Sequence, residues 1–247
     1  MFIDSHCHIE EDEAKEYVDN AINNDVKIMI NAATDLKSSV EAINLSRKYP
    51  SVFACIGVHP EEVKDFDFNM APFEEMCKDN KVVAIGEIGL DYYYEKDTRD
   101  LQIKVFREFL SLAERNNLPV VIHSRNATDD TLRIIKEYNV KGVIHCFSGS
   151  IETAREYIKL GYVLGIGGVV TFKNSKLIEV LKEIPLEYII LETDSPYLSP
   201  EPFRGQTNES KNIKVIAEFL CDKLSTNIDE IREKTTSNVF RIFDKIS

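Results

Sequence analysis

The sequence predicts an α/β fold, a TIM-like (β/α)8 barrel, formed by a single domain over residues 1–247. Three observations predict it. Short β-branched apolar runs alternate with longer amphipathic stretches. There are eight such runs, spaced about 30 residues apart, the size of one βα unit. No linker or low-complexity segment divides the chain. Alternating strands and helices imply a parallel sheet. Eight βα units in about 250 residues is the arithmetic of a closed barrel. An open doubly wound sheet would usually carry a Gly-rich phosphate turn after its first strand, and none is present.

The first strand is read at 2–3 and the second at 26–30, followed by 52–58 and 82–86. Four more lie at 119–122, 142–144, 162–166 and 188–191. Helical spacing is clearest over 101–116, LQIKVFREFLSLAERN, where Val105, Phe109 and Leu112 recur on one face with charges opposite. Further helices are expected near 14–23, 38–48, 129–138, 151–160 and 175–183. Two more, near 211–224 and 229–243, follow the last strand.

Composition bounds the function. Apolar residues make up 43% and charged residues 29%, which excludes a disordered or fibrous chain. No run approaches the ~18 apolar residues of a membrane span. The start, MFIDSHCHIEEDE, lacks the basic and apolar regions of a secretory signal. Five cysteines without a C-x-x-C pair argue against a disulfide framework and a thiolate zinc site, and predict a reducing cytoplasm. No obligate protein partner is evident. The net charge of −12 argues against general electrostatic binding of a polyanion.

The five histidines, His6, His8, His59, His123 and His145, all fall at or just past expected strand ends. In a parallel barrel those ends open on one face, where catalysis occurs. If strand 1 continues, His6 and His8 share a side and Cys7 faces away. The same parity turns Cys146 from His145, so both thiols are read as packing residues. Glu87 closes VVAIGE and Asp194 closes YIILETD. A carboxylate ending an apolar strand is costly unless paired, and a metal supplies the partner. Asp4 shares a side with His6 and is expected to orient a ligand imidazole. Glu192 shares one with Asp194. Glu10 to Glu13 reads as a solvated helix start. Imidazole with carboxylate suits zinc, manganese and similar divalent ions. The six donors His6, His8, Glu87, His123, His145 and Asp194 exceed what one zinc needs, so two ions bridged by Glu87 are expected.

The chain resembles the TatD family of metal-dependent deoxyribonucleases. The resemblance rests on FIDSHCHI (2–9), GVHPE (57–61), AIGEIGLDYY (84–93), VIHSRNA (121–127), HCFSGS (145–150) and ETDSPYLSP (192–200). RGQTNES (204–210) and TTSNVFRIF (235–243) extend it over the whole chain. It implies an amidohydrolase-type barrel and a divalent-metal phosphodiesterase acting on DNA, often from the 3′ end. It also implies that His6 and His8 hold one ion, that Glu87 bridges, and that His123 and His145 hold the second. Asp194 would complete the site and take the proton of the attacking water. Departures are mild: Asn126 and Glu10 stand where relatives often carry aspartate, and Ser210 where proline is usual. None removes a ligand.

The expected reaction is metal-assisted phosphodiester hydrolysis with two divalent ions (Mg, Mn or Zn), Glu87 and Asp194 being the catalytic carboxylates. His59 is assigned to phosphate or leaving-group contact. Arg125 and, less strongly, Arg204 and Asn208 are assigned to gripping a phosphate. From the run Tyr92–Tyr93–Tyr94, Tyr92 is expected to stack on an unpaired base. An alternative is an ester or amide hydrolase on the same scaffold, such as a D-aminoacyl-tRNA deacylase. Two bound cations would offset about four negative charges at the mouth. The substrate is therefore expected to be a DNA strand end or oligonucleotide, held locally, and not a long duplex.

Overall fold

The computed structural model describes residues 1–94 and 96–246. Eight strands, β1 (Phe2–Cys7), β2 (Val26–Ala32), β3 (Val52–Ile56), β4 (Val82–Asp91), β5 (Val120–Arg125), β6 (Gly142–Ile144), β7 (Tyr162–Ile166) and β8 (Ile189–Leu191), pair in consecutive order. Every pairing is parallel. The seam between the last strand and the first is closed just past β8. Cys7 bridges Ser195, Asp194 N–H donates to the His6 carbonyl at 3.0 Å, and His8 N–H to the Ser195 carbonyl at 2.8 Å. The result is a nearly closed (β/α)8 barrel.

The helices are α1 (Ala14–Asn23), α2 (Leu36–Lys48), α3 (Ala71–Met76), α4 (Arg99–Asn116) and α5 (Thr128–Ile135). They continue with α6 (Ile151–Lys159), α7 (Leu177–Leu181), α8 (Ile213–Leu224) and α9 (Ile228–Ile242). On α4, Val105, Phe106, Phe109, Leu110, Leu112 and Ala113 are buried, the face that the spacing predicts. The helix ends at Asn117, whose left-handed backbone (φ 51°) is tolerated by asparagine. Asp35 and Ser38 cap α2 reciprocally, so it begins before the expected 38.

Every strand gives the barrel interior at least one apolar residue: Ile3, Ile30, Ala32, Cys55, Val83, Ala84, Val121, Val143, Val163 and Ile190 fall in one buried cluster. Val239, Ile242 and Phe243, from the end of α9, and Ile246 join it. A second and larger cluster lies between sheet and helices and includes Phe73 and Phe109. Side-chain alternation then carries the interior side upward. His123 stands two residues past Val121, His145 two past Val143, and Glu192 two past Ile190.

Several boundaries differ from the sequence reading. β1 runs to Cys7 and β4 to Asp91, so Glu87 lies within its strand instead of closing it. The register of β1 against β2 slips between Asp4 and Cys7, and that of β4 against β5 between Ile85 and Ile88. Irregularities of this kind re-aim side chains near active sites, and here they flank His6 and Glu87. α3 is not evident from the sequence. The helix expected over 175–183 shortens to α7.

Candidate active site

The carboxylate of Glu87 stands between two groups of histidines. Its Oε2 is 3.3 Å from His6 Nε2 and 4.0 Å from His8 Nε2. Its Oε1 is 3.0 Å from His123 Nδ1, 3.6 Å from His59 Nε2 and 3.7 Å from His145 Nε2. Asp194 Oδ1 lies 3.5 Å from His8 Nε2 and 3.7 Å from both His6 Nε2 and His145 Nε2. The six expected donors thus meet at one mouth, with His59 beside them. Donor triads within 4.8 Å include His6–His8–Glu87, His6–His145–Asp194 and His59–Glu87–His123.

The outer hydrogen bonds decide what each ring offers. His8 Nδ1 donates to the Ala32 carbonyl at 2.9 Å, which leaves a bare lone pair on Nε2. That nitrogen faces His6 Nε2 at 3.3 Å. Imidazole nitrogens and carboxylate oxygens converging in this way fit a divalent cation. His123 Nε2 is 3.0 Å from Asp91 Oδ2, so the ring donates there and aims Nδ1 at Glu87. His145 Nδ1 is 3.0 Å from Glu192 Oε1, though off the hydrogen-bond line, and aims Nε2 inward. His59 is reversed. Its Nδ1 accepts the Glu61 N–H at 3.3 Å, which assigns the proton to Nε2 and makes that nitrogen a donor.

The electrostatics follow from burial and proximity. Burial would lower His145, but Glu192, Glu87 and Asp194 push it up to about 10. Burial is likewise overcome at His123, which Asp91 and Glu87 raise to about 9. At His59 burial wins and the ring falls to about 4, so it is neutral near pH 7. Burial would raise the Glu87 carboxyl, yet the surrounding imidazoles, His145 foremost, hold it well below its ordinary range. Asp194 has φ 57° and Cys146 φ 45°, left-handed backbone that costs energy in non-glycine residues. Such strain is typical of a mouth whose side chains are aimed for function.

Two carboxylates, Asp91 and Glu192, brace the rings. Glu192 shares a side with Asp194, as expected. Asp91 escapes the sequence reading because the strand expected there stops at 86, although it stands four residues past Glu87, on the same side by parity. Asp4 corrects an expectation. Its carboxylate accepts from Thr193 N–H at 2.9 Å, Thr193 Oγ1 at 2.6 Å and the backbone N–H of His6 at 3.3 Å. It therefore ties the loop after β8 to β1 and orients no imidazole. Cys7 packs, with Sγ 3.4 Å from the Ile30 carbonyl. Cys146 is half-buried, and it lines the cavity at the mouth.

That cavity, about 1560 Å³, is also lined by Arg125, Tyr94 and Tyr197. The Arg125 guanidinium lies over the rings of Tyr93 (4.2 Å) and Tyr94 (4.5 Å). Tyr92 is not brought to the mouth. Its hydroxyl donates to Asp130 at 2.7 Å, and its ring packs on the core with Arg99 above it. Arg204 stands away from the donors, over the ring of Phe172 at 3.6 Å. Asn208 is buried, and its amide donates to the carbonyls of Thr193 (2.8 Å) and Tyr197 (2.7 Å), bracing the loop after β8.

The TatD-related DNase family model matches residues 3–244. The chain belongs to the TatD family. The metal-dependent hydrolase YabD of Bacillus subtilis is 39% identical, the match covering 98% of this chain and 99% of that protein. The metal-dependent hydrolase YcfH of Escherichia coli K12 is 33% identical, covering 98% and 96%. The crystal structure of the TatD homologue YjjV from Escherichia coli K12 superposes with a TM-score of 0.93 at 30% identity over 98% of both chains. A TatD family hydrolase from Entamoeba histolytica gives 0.87 at 26% identity, covering 98% and 97%. This TatD chain is thus a metal-dependent hydrolase on a TIM-like barrel. None of its described helices is long and apolar enough to cross a membrane.

Proposed function

We propose that this TatD-family protein hydrolyses phosphodiester bonds of DNA, acting at strand ends. The observation that carries the reading is the two-sided Glu87 carboxylate, with His6 and His8 on one oxygen and His123 and His145 on the other. That donor set would suit two divalent ions: His6, His8, Glu87 and Asp194 would hold one, and Glu87, His123 and His145 the other. Such ions acidify a water and offset charge on phosphate oxygens. Asp194, the more exposed of the two carboxylates, takes the water's proton in this reading. Glu87 stays ionised between the imidazoles and holds the two halves of the site together. His59, neutral and carrying its proton on Nε2, donates to a phosphate oxygen. Arg125 grips the phosphate through its planar fork, its guanidinium braced on Tyr93 and Tyr94. Tyr94, and not Tyr92, offers a ring at the mouth.

End-specific action draws its support from the asymmetry of the mouth. Glu10, Glu11, Asp12, Glu41, Glu61 and Glu62 line its wall above β1 to β3, with Lys37 among them pairing with Glu41 at 3.6 Å. A polynucleotide continuing over that wall would meet repulsion, so only a terminus is accommodated there. The test is incubation of end-labelled single-stranded DNA with and without Mg²⁺ or Mn²⁺. A metal-dependent ladder, lost in His123→Ala and Asp194→Ala, is expected. Absence of cleavage with every metal, together with release of D-amino acid from charged tRNA, would replace this reading with an ester hydrolase.

A further inference from the structure

A second cavity, about 780 Å³, opens between the loops after β6 and β7. Its size falls in the range of small-molecule sites. Ile151, Val169, Phe172, Leu177 and Val180 line it, with the Asn174 amide beside them. Ser148 lines both this cavity and the metal mouth, so the two are neighbours. In a barrel whose eight strands run in consecutive order, β6 and β7 stand across from β2 and β3. The second cavity therefore lies opposite the acidic wall, on the side by which a bound polyanion must leave.

Two cations stand on that side. Lys176 lines the cavity, and the Arg204 guanidinium lies over the ring of Phe172, 3.6 Å from its centroid. Among the described residues neither has a carboxylate within 4.0 Å. Three carboxylates also line the cavity: Glu152, Glu179, which pairs with Lys182 at 3.1 Å, and Glu183, which pairs with Arg155 at 3.8 Å. An aromatic ring, apolar walls, one amide and flanking cations together make a slot for a flat heterocycle attached to a phosphate.

We propose that this cavity is a nucleobase subsite, holding the base next to the scissile phosphate while Lys176 and Arg204 meet the following phosphate. The proposal rests on the phosphodiesterase reading above. It assigns specificity to Phe172 and Asn174, outside the metal centre.

The test is calorimetric titration of the Mg²⁺-loaded protein with thymidine 5′-monophosphate and with 2-deoxyribose 5-phosphate. The base should tighten binding about tenfold, in the range of one stacked base. Phe172→Ala should remove most of that gain and leave the affinity for 2-deoxyribose 5-phosphate unchanged. Val180→Trp, which fills the slot from α7, should do the same and guards against a folding defect in the first variant. Equal binding of the two ligands by the unaltered protein, or a full base-dependent gain in both folded variants, overturns the subsite. Cleavage of end-labelled DNA is run in parallel. Cleavage without base-dependent binding removes the subsite alone. Loss of cleavage together with loss of binding to both ligands removes the phosphodiesterase reading with it.

Discussion

Glu192 Oε1 lies 3.0 Å from Nδ1 of His145 and accepts the N–H of Cys146 at 2.6 Å. One buried carboxylate from the end of β8 thus fixes both the ring and the backbone that follows β6. Such outer partners hold the tautomer and aim of a ligand. In Glu192→Gln the charge opposite His145 is lost, and a metal affinity roughly 10–100-fold weaker is expected. Competition against a chelating dye measures this. Unchanged affinity would show that Glu192 does not orient the ring.

Gly165 of β7 leaves the space that Glu192 occupies. A Cβ at 165 would stand 2.1 Å from Glu192 Oε2. Gly165→Ala must therefore displace the carboxylate, at a cost of about 1–3 kcal/mol in stability. Metal binding should weaken with it. Denaturant midpoints and the same dye competition test both effects, and a variant that binds metal normally would contradict the coupling.

The metal-free protein should depend on pH through His123, at about 9, and His145, at about 10. Both folded values exceed the ordinary histidine value of about 6.5. Their ion pairs with Asp91, Glu87 and Glu192 thus contribute fully below about 6.5 and are lost as pH rises through the folded values. Ligation needs neutral imidazole, so metal uptake near neutral pH should release protons, and apparent affinity should climb with pH over the same window. Calorimetry in two buffers of different ionisation enthalpy counts those protons. A count of zero would be inconsistent with the raised values.

Phe109 of α4 packs edge-to-face on Phe73 at 4.9 Å between centroids, and both are fully buried. Phe109→Ala should cost about 3–5 kcal/mol. Because this cluster lies outside the barrel, away from the histidines, metal affinity of the folded variant should be unchanged. A large loss of affinity at preserved fold would show that outer packing reaches the mouth.

Chelation should lower the thermal midpoint, since an ion that binds only the folded chain stabilises it by about 2.7 kcal/mol at a hundredfold excess over Kd. His6→Ala should abolish part of that dependence. An identical midpoint with and without chelator would argue against a structural contribution from the donors.

The barrel, and the six candidate donors that gather at its mouth, are legible in the sequence alone. Strand and helix periodicities are local, and in a parallel barrel every strand end faces the same way. A histidine at such an end therefore declares its position without any knowledge of its neighbours. What only tertiary structure decided depends on contacts between distant segments. Asp91 reaches His123 because β4 continues past residue 86, its final residues pairing with β5 at 123–125. Asp4 is drawn from the histidines to Thr193, 189 residues away, by the closing of the barrel seam. Tyr92 is claimed by Asp130 on α5, which leaves Tyr94 at the mouth. The proton of His59 is placed by one backbone N–H. Local patterning writes which residues come near a site. Which atom of each is aimed into it is set by hydrogen bonds that exist only after the chain has closed.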